Sequence, residues 1–454
     1  MSQKKTLLYL GGPVDSISRA KIISLTANCS AMGKRGHKVL LFITNIPGFD
    51  QDIYEYFKVA KTFKTIFIPT KYKIPDRSRV QKSLKAFFGL HRFSLLNQIA
   101  FHFRTLFSVL KYKKKRDEKV VIISRDHYAA FLALLFSRFH RFPVIFESHQ
   151  LAYAEISESI FNILSDKNIL ARLVISLAKK GETYILEHSS AFFSNTKRGL
   201  SVAKIMCNGK MPPGLAAPSG VFLEEFESVR LLERNPHNPL RLLYIGNIYL
   251  PPRSSSKGLD ILLYTIARLQ DLGISANLTI IGGMEGDPDI WRLREFISRL
   301  GIQEYVKLEG YVPHSQISEF MRECDLGVLP YPKTAYNSFT LSPLKMIEFL
   351  AAGVPVLVFD NPCIREIVEN NKTAIIVDPN VESLVKAIVA IHKNPEILGK
   401  LTIEGSKIAR FYDWNVRARL VEEFLERLEN KEFELEEMLG REDLLSQEEL
   451  ASLV

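Results

Sequence analysis

The chain is poor in cysteine and tryptophan: its 454 residues hold four of the first and two of the second. Cys29, Cys207, Cys324 and Cys363 are too scattered for a disulfide framework, and no pair has metal-ligand spacing. Reduced thiols in a cytoplasmic protein are the expectation. A membrane-spanning run is missing too, since no apolar stretch approaches the ~20 residues a bilayer requires. The start superficially mimics a signal peptide, with Lys4-Lys5 ahead of Thr6-Leu7-Leu8-Tyr9-Leu10. Its apolar part is too short and Gly11-Gly12-Pro13 closes it, so a first buried strand is expected. Internal repeats and low-complexity tracts are absent. Acidic residues are scarce in one place: residues 77–119 carry twelve Lys/Arg and two Asp/Glu, in a chain of formal net charge +10. The balance reverses at the end, where residues 430–454 hold eight acidic side chains against Lys431 and Arg441. Basic segments seek phosphates. No nucleic-acid-binding motif accompanies this one, so no nucleic acid partner is expected.

What the chain does have is alternation of strand and helix patterns, which points to α/β layers with parallel sheets. Strands are predicted near residues 6–10, 38–43, 65–68, 120–124, 143–147 and 191–194, with a helix over about 18–36. After the polar Asn235-Pro236-His237-Asn238-Pro239 linker they resume at 240–245, 276–281, 306–309, 326–329, 354–359 and 374–377. The length exceeds one core and suits two doubly wound domains in series, whose ligands bind at the carboxyl ends of the strands.

Three segments carry chemistry. In Ser342-Pro343-Leu344-Lys345, Ser342 can cap a helix and Pro343 fits its first position. Gly353 supplies the left-handed stop before a buried strand. A helix N-terminus suits a phosphate, Lys345 lies in the first turn, and Glu348 could reach a sugar hydroxyl. Lys257-Gly258 opens a helix over 259–272 after a strand ending at Gly246, and offers a cation there. Asp287-Pro288-Asp289 has the form of an acidic metal motif, but a cap at Asp287, Pro288 at the first position and a dipole-complementing Asp289 explain it without metal.

The run from Ser342 through Glu348 to Gly353-Val354-Pro355-Val356 resembles the nucleotide-sugar motif of glycosyltransferase family 4, the group 1 glycosyl transferases, a retaining family with the GT-B fold. The resemblance implies two Rossmann-like domains facing across a cleft: an acceptor-binding domain over 1–218, a nucleotide-sugar-binding domain over 219–412, and a crossing helix with an acidic tail over 413–454. It makes Lys257 the diphosphate clamp and Glu348 the ribose ligand, with Ser342, Pro343, Leu344 and Lys345 around the donor. Thr340 stands where many members have a second Glu. Asn247 stands where an Arg is usual, and Arg253 could replace that cation. Gly310 and Val312 match a loop whose backbone meets the base. In the first domain the resemblance puts His149 beside the donor sugar and Gly11 and Gly12 at a close approach to donor and acceptor. Arg125 is a further cleft candidate by position.

The activity implied is metal-independent transfer of a hexose from a nucleotide sugar, with no cofactor, to a glycan or lipid-linked acceptor. Alternatives are a catalytically impaired GT-B binding module and a non-hydrolysing nucleotide-sugar epimerase. Aromatic and basic residues over 83–93, with the cationic cluster 111–116, point to an anionic membrane surface as partner and to peripheral attachment on the inner face of the cell membrane.

Overall fold

The computed structural model of the chain describes residues 4–12, 19–44, 52–69, 100–110, 119–140, 142–149, 169–227, 237–248, 250, 257–283, 286 and 288–432. Two compact units share the described residues: one runs to Pro218 and resumes at Trp414, and the other is Ser219–Asp413.

The first unit runs β1 (Thr6–Gly12), α1 (Arg19–Lys34), β2 (Lys38–Thr44), α2 (Ile53–Tyr56), β3 (Lys64–Ile68), β4 (Val120–Ser124), α3 (His127–His140), β5 (Val144–Ser148), α4 (Ile169–His188), β6 (Ala191–Ser194), α5 (Lys197–Met206) and β7 (Gly214–Ala216). Its seven strands pair in the order β3-β2-β1-β4-β5-β6-β7, all parallel. Strands β1, β4 and β5 are buried along their whole length, which is why they read as predominantly apolar runs, with Glu147 of β5 the charged exception. The short strand β7 has no such run and escapes a pattern reading.

The second unit contains β8 (Leu240–Ile245), α6 (Leu259–Asp271), β9 (Ala276–Ile281), α7 (Pro288–Arg299), β10 (Val306–Gly310), α8 (His314–Glu323), β11 (Leu326–Leu329), α9 (Ala335–Thr340), α10 (Leu344–Ala351), β12 (Val356–Phe359), α11 (Pro362–Arg365), β13 (Ile375–Val377), α12 (Val381–Lys393) and α13 (Glu396–Ala409). Its six parallel strands follow the order β10-β9-β8-β11-β12-β13, reversing direction between β8 and β11. Alternate residues feed opposite faces of this sheet: Leu243, Ile245 and Val358 pack in one apolar cluster, Leu242, Tyr244 and Leu357 in the other.

Helix α14 (Trp414–Asn430) returns to the first unit and packs along α1. It buries Trp414, Val421, Phe424 and Leu425 there, and ion pairs add to the contact. Glu422, 2% exposed, receives Lys4 at 2.9 Å and Arg35, with the buried His37 ring at 3.2 Å. Glu429 pairs with Lys5 and Lys119. All four cysteines are buried and free. Among the described residues no helix is long and apolar enough to cross a membrane.

Candidate functional site

The candidate polar side chains of the second unit follow the carboxyl ends of its strands: Lys257 comes after β8, His314 after β10, and Lys345 and Glu348 after β11. Helix α10 follows β11 and starts with Pro343 as its N-cap, in extended conformation. This corrects the expected cap. The Ser342 hydroxyl does not cap the helix; it accepts from Ser219 N–H at 3.3 Å and ties the start of the unit to this turn. The Pro343 carbonyl receives Met346 and Ile347 N–H, so those of Leu344 and Lys345 have no carbonyl acceptor within the helix. At the other end Gly353 is left-handed, and the bonds Val354 N to Phe349 O and Gly353 N to Leu350 O close a Schellman motif. The chain therefore enters β12 at Val356, two residues later than the apolar pattern suggested.

Glu348 lies one turn inside α10 and is 3% exposed. Its Oε2 accepts from Lys345 Nζ at 2.7 Å and its Oε1 faces His314 Nε2, from the head of α8, at 3.3 Å. Burial alone would raise its carboxyl, but Lys345 and His314 outweigh that and bring it down to about 2. It is an ionised acceptor set inside a ring of donors. His314 was not legible in the sequence, where only its place after Pro313 at a helix head hinted at it.

Lys257 precedes α6. Its Nζ sits 5.2 Å from the centre of the Tyr331 ring, just after β11, and burial pushes the ammonium's pKa down. Gly258, the N-cap of α6, is left-handed at φ +71°, and a Cβ there would meet the Pro330 carbonyl oxygen at 1.9 Å. Only glycine lets the α6 head press against the loop after β11, at the point where the strand order reverses. Gly310 ends β10, and its carbonyl accepts from Gly282 N–H at 2.8 Å. Val312 follows, partly buried against the core. Thr340 ends α9 and is buried. Asn247 gives its carbonyl to the Tyr244 hydroxyl at 2.9 Å. Asp289 is buried in the first turn of α7, where Oδ1 accepts from Arg292 at 3.2 Å. Asp287 and Arg253 lie outside the described residues, as do residues 83–93 and 111–116.

In the first unit, His149 follows β5. Its Nε2 faces Glu147 Oε1 at 3.4 Å and its Nδ1 faces Asn195 Nδ2 at 2.8 Å. Burial and the nearby Arg125 hold its pKa down at about 4. Arg125 does not offer an open guanidinium: it is buried, donating to Glu147 at 2.8 Å and to Ser24 Oγ at 2.9 Å. A third cation, Arg417 of α14, reaches the same Glu147 oxygen at 2.5 Å. Gly11 and Gly12 end β1. Gly12 is left-handed, and a Cβ on it would meet the Asp126 carboxylate at 2.7 Å. Asn195 and Arg417 had no signal in the sequence, because they meet His149 and Glu147 only through the sheet order and the return of α14.

Two doubly wound parallel units in one chain, one with a phosphate-suited helix head at its strand reversal, make the GT-B architecture. Residues 239–394 match the family described as "Glycosyl transferases group 1". Among its relatives, the amylovoran biosynthesis glycosyltransferase AmsK of Erwinia amylovora is 24% identical over 194 residues, 42% of this chain and 46% of the relative. The phosphatidyl-myo-inositol mannosyltransferase of Mycobacterium leprae is 27% identical over 202 residues, 44% of this chain and 50% of the relative. The chain thus spans about half the length of these relatives. Solved structures share the fold across nearly the whole chain. Sucrose-phosphate synthase of Thermosynechococcus elongatus superposes with a TM-score of 0.67 at 16% identity, covering 94% of this chain and 100% of that one. Anabaena HepE in complex with UDP-glucose gives 0.62 at 14% identity, covering 93% and 99%.

Proposed function

We propose that this protein is a retaining glycosyltransferase that moves a hexosyl group from a nucleoside-diphosphate sugar to a glycan or lipid-linked acceptor, in cell-surface polysaccharide or glycolipid biosynthesis. The observation that carries the reading is the Lys345–Glu348–His314 cluster at the head of α10, inside the segment that matches the family. Ionised Glu348 has two acceptor oxygens, which suits the paired hydroxyls of a ribose. Binding would exchange protein donors for those hydroxyls. The N–H groups of Leu344 and Lys345 and the Lys257 ammonium suit a diphosphate, whose charge grows as the glycosidic bond breaks. A diphosphate beside Lys257 would also reverse the pKa depression that burial imposes. The departing phosphate oxygen takes the proton of the acceptor hydroxyl, and the new C–O bond forms on the face the phosphate leaves. The resemblance to the family gives His149 a role at the donor sugar.

Relatives support the class of substrate. HepE was solved with UDP-glucose, and two relatives are named for amylovoran biosynthesis and for mannosyl transfer to phosphatidyl-myo-inositol. A lipid-linked acceptor fits attachment to the inner face of the cell membrane. On α4, Leu173 and Leu177 are 54% and 59% exposed, with the cations Arg172 and Lys180 beside them.

The test is a screen of the purified chain against nucleotide sugars and acceptors in excess EDTA. Turnover is expected to persist with chelator, because Asp289, the described member of the acidic pair, is already buried against Arg292. Lys257→Ala is expected to lower turnover by about a hundredfold or more. Nucleotide binding without turnover on any acceptor supports the impaired module instead. An epimer formed from donor alone supports the epimerase.

A further inference from the structure

Glu147 takes no part in the proposed transfer, yet it is 1% exposed and collects three partners on one oxygen. Oε1 accepts from Arg125 and Arg417 and faces His149 Nε2. Arg417 is itself pinned: its Nε donates to the Ala217 carbonyl at 3.2 Å and one terminal nitrogen to Asn28 Oδ1 at 2.6 Å. Burial opposes a charge on Glu147, but the two guanidiniums outweigh it and hold the carboxyl well below the usual range. An ionised carboxylate can only accept, so the imidazole nitrogen facing it, Nε2, carries a proton. Two arginines against one carboxylate leave the interior net positive, which disfavours a second proton on the ring. The ring's Nδ1 then has a free lone pair, and the Asn195 amide, 2.8 Å away, is its donor. Tyr9 and Cys29, the other titratable groups of this cluster, are pushed upward by burial and stay neutral.

We propose that Arg417 and Glu147 are positioning residues for His149: with Asn195 they hold its ring neutral, in the Nε2–H tautomer and in one plane, so that it serves as a fixed polar surface and not as a proton donor or acceptor. The inference rests on the reading that His149 stands beside the donor sugar. It gives α14 a role beyond packing. One of the two cations that keep Glu147 charged comes from 270 residues further along the chain. Without Arg417, Glu147 loses one of its two compensating charges, its carboxyl is held less far below the usual range, and its hold on Nε2–H weakens.

The test reads the ring directly. Full-length protein labelled with ¹⁵N-histidine, with His149 assigned by its absence in His149→Gln, reports tautomer and charge by long-range ¹H–¹⁵N correlation. In the parent the ring is expected to be neutral, with Nε2 protonated, at pH 7 and still at about pH 5.5. An imidazolium or an Nδ1–H ring in the parent at pH 7 overturns the proposal and needs no variant. Arg417→Met and the isosteric Glu147→Gln are expected to give a mixture of tautomers, and Arg417→Lys to restore part of the parent spectrum. Either of the first two folding with an unchanged His149 spectrum reduces the cluster to a structural ion pair and also overturns it. Where turnover is measurable, both are expected to lower kcat by about a hundredfold with a much smaller change in donor KM, as misplacement of a positioned group does. If no nucleotide sugar is turned over by any form, the transferase reading fails while the spectra still decide the positioning role.

Discussion

At the scale of single residues, burial decides what the charges of the second unit can do. Lys345 and Glu348 at helical spacing would form a weak solvated pair on a surface helix. Here Glu348 is buried and His314 is added from another element, so the same pair becomes a fixed acceptor. Glu348→Gln removes one acceptor oxygen and the charge. It is expected to weaken affinity for a free nucleoside diphosphate by about tenfold or more, read by calorimetry; an unchanged affinity rules out the ribose role. The same carboxyl links stability to pH. Its folded value of about 2 lies below the ordinary 4.5, so its contribution is complete above pH 4.5 and disappears as pH falls towards 2. That depression corresponds to about 3 kcal/mol. Urea midpoints of parent and Glu348→Gln are therefore expected to differ most at neutral pH and to converge as pH falls from 4.5 towards 2.

At the scale of elements, helix ends explain where prediction and structure part. The stop of α10 was legible because Gly353 is the one residue type that accepts its left-handed turn cheaply. Its start was misread by one residue because Ser342 has a capping habit and Pro343 favours the first helical position. Tertiary contact decided between them by giving the Ser342 hydroxyl to Ser219. Gly258 makes a similar point at the head of α6. Gly258→Ala places a methyl group 1.9 Å from the Pro330 oxygen in a left-handed conformation, so a loss of about 2 kcal/mol or more is expected in denaturant unfolding. Helix α14 tests what charge adds to the hold on an element. Glu422→Ala leaves Lys4, Arg35 and the buried His37 without their carboxylate, and a loss of about 1–3 kcal/mol is expected by the same measurement. Burial depresses the His37 pKa, so that residue's contribution is present above its ordinary value of 6.5 and is lost as pH falls.

At the scale of the whole molecule, the open question is what surface the protein works on. Cationic residues over 111–116 and the exposed Leu173 and Leu177 of α4 have the chemistry that anionic bilayers attract. Co-sedimentation with anionic vesicles at two salt concentrations is expected to show binding at low salt that weakens at high salt and on neutralising the 111–116 cluster. Protein that stays in the supernatant at low salt points to an acceptor free in solution.

What the sequence by itself determined is whatever one segment carries alone. Buried parallel strands announce themselves as apolar runs, helix stops as glycines, and the phosphate-suited head of α10 as a short motif, so the fold class was readable and Lys257 and Glu348 could be singled out as candidates. Tertiary structure decided whatever needs two distant segments to meet. His314 reaches Glu348 from a different strand's loop, Ser219 claims Ser342, and Arg417 crosses 270 positions to Glu147. The physical reason is that the worth of a charge or a hydrogen bond depends on burial and on a partner's placement. Neither is a property of local spacing.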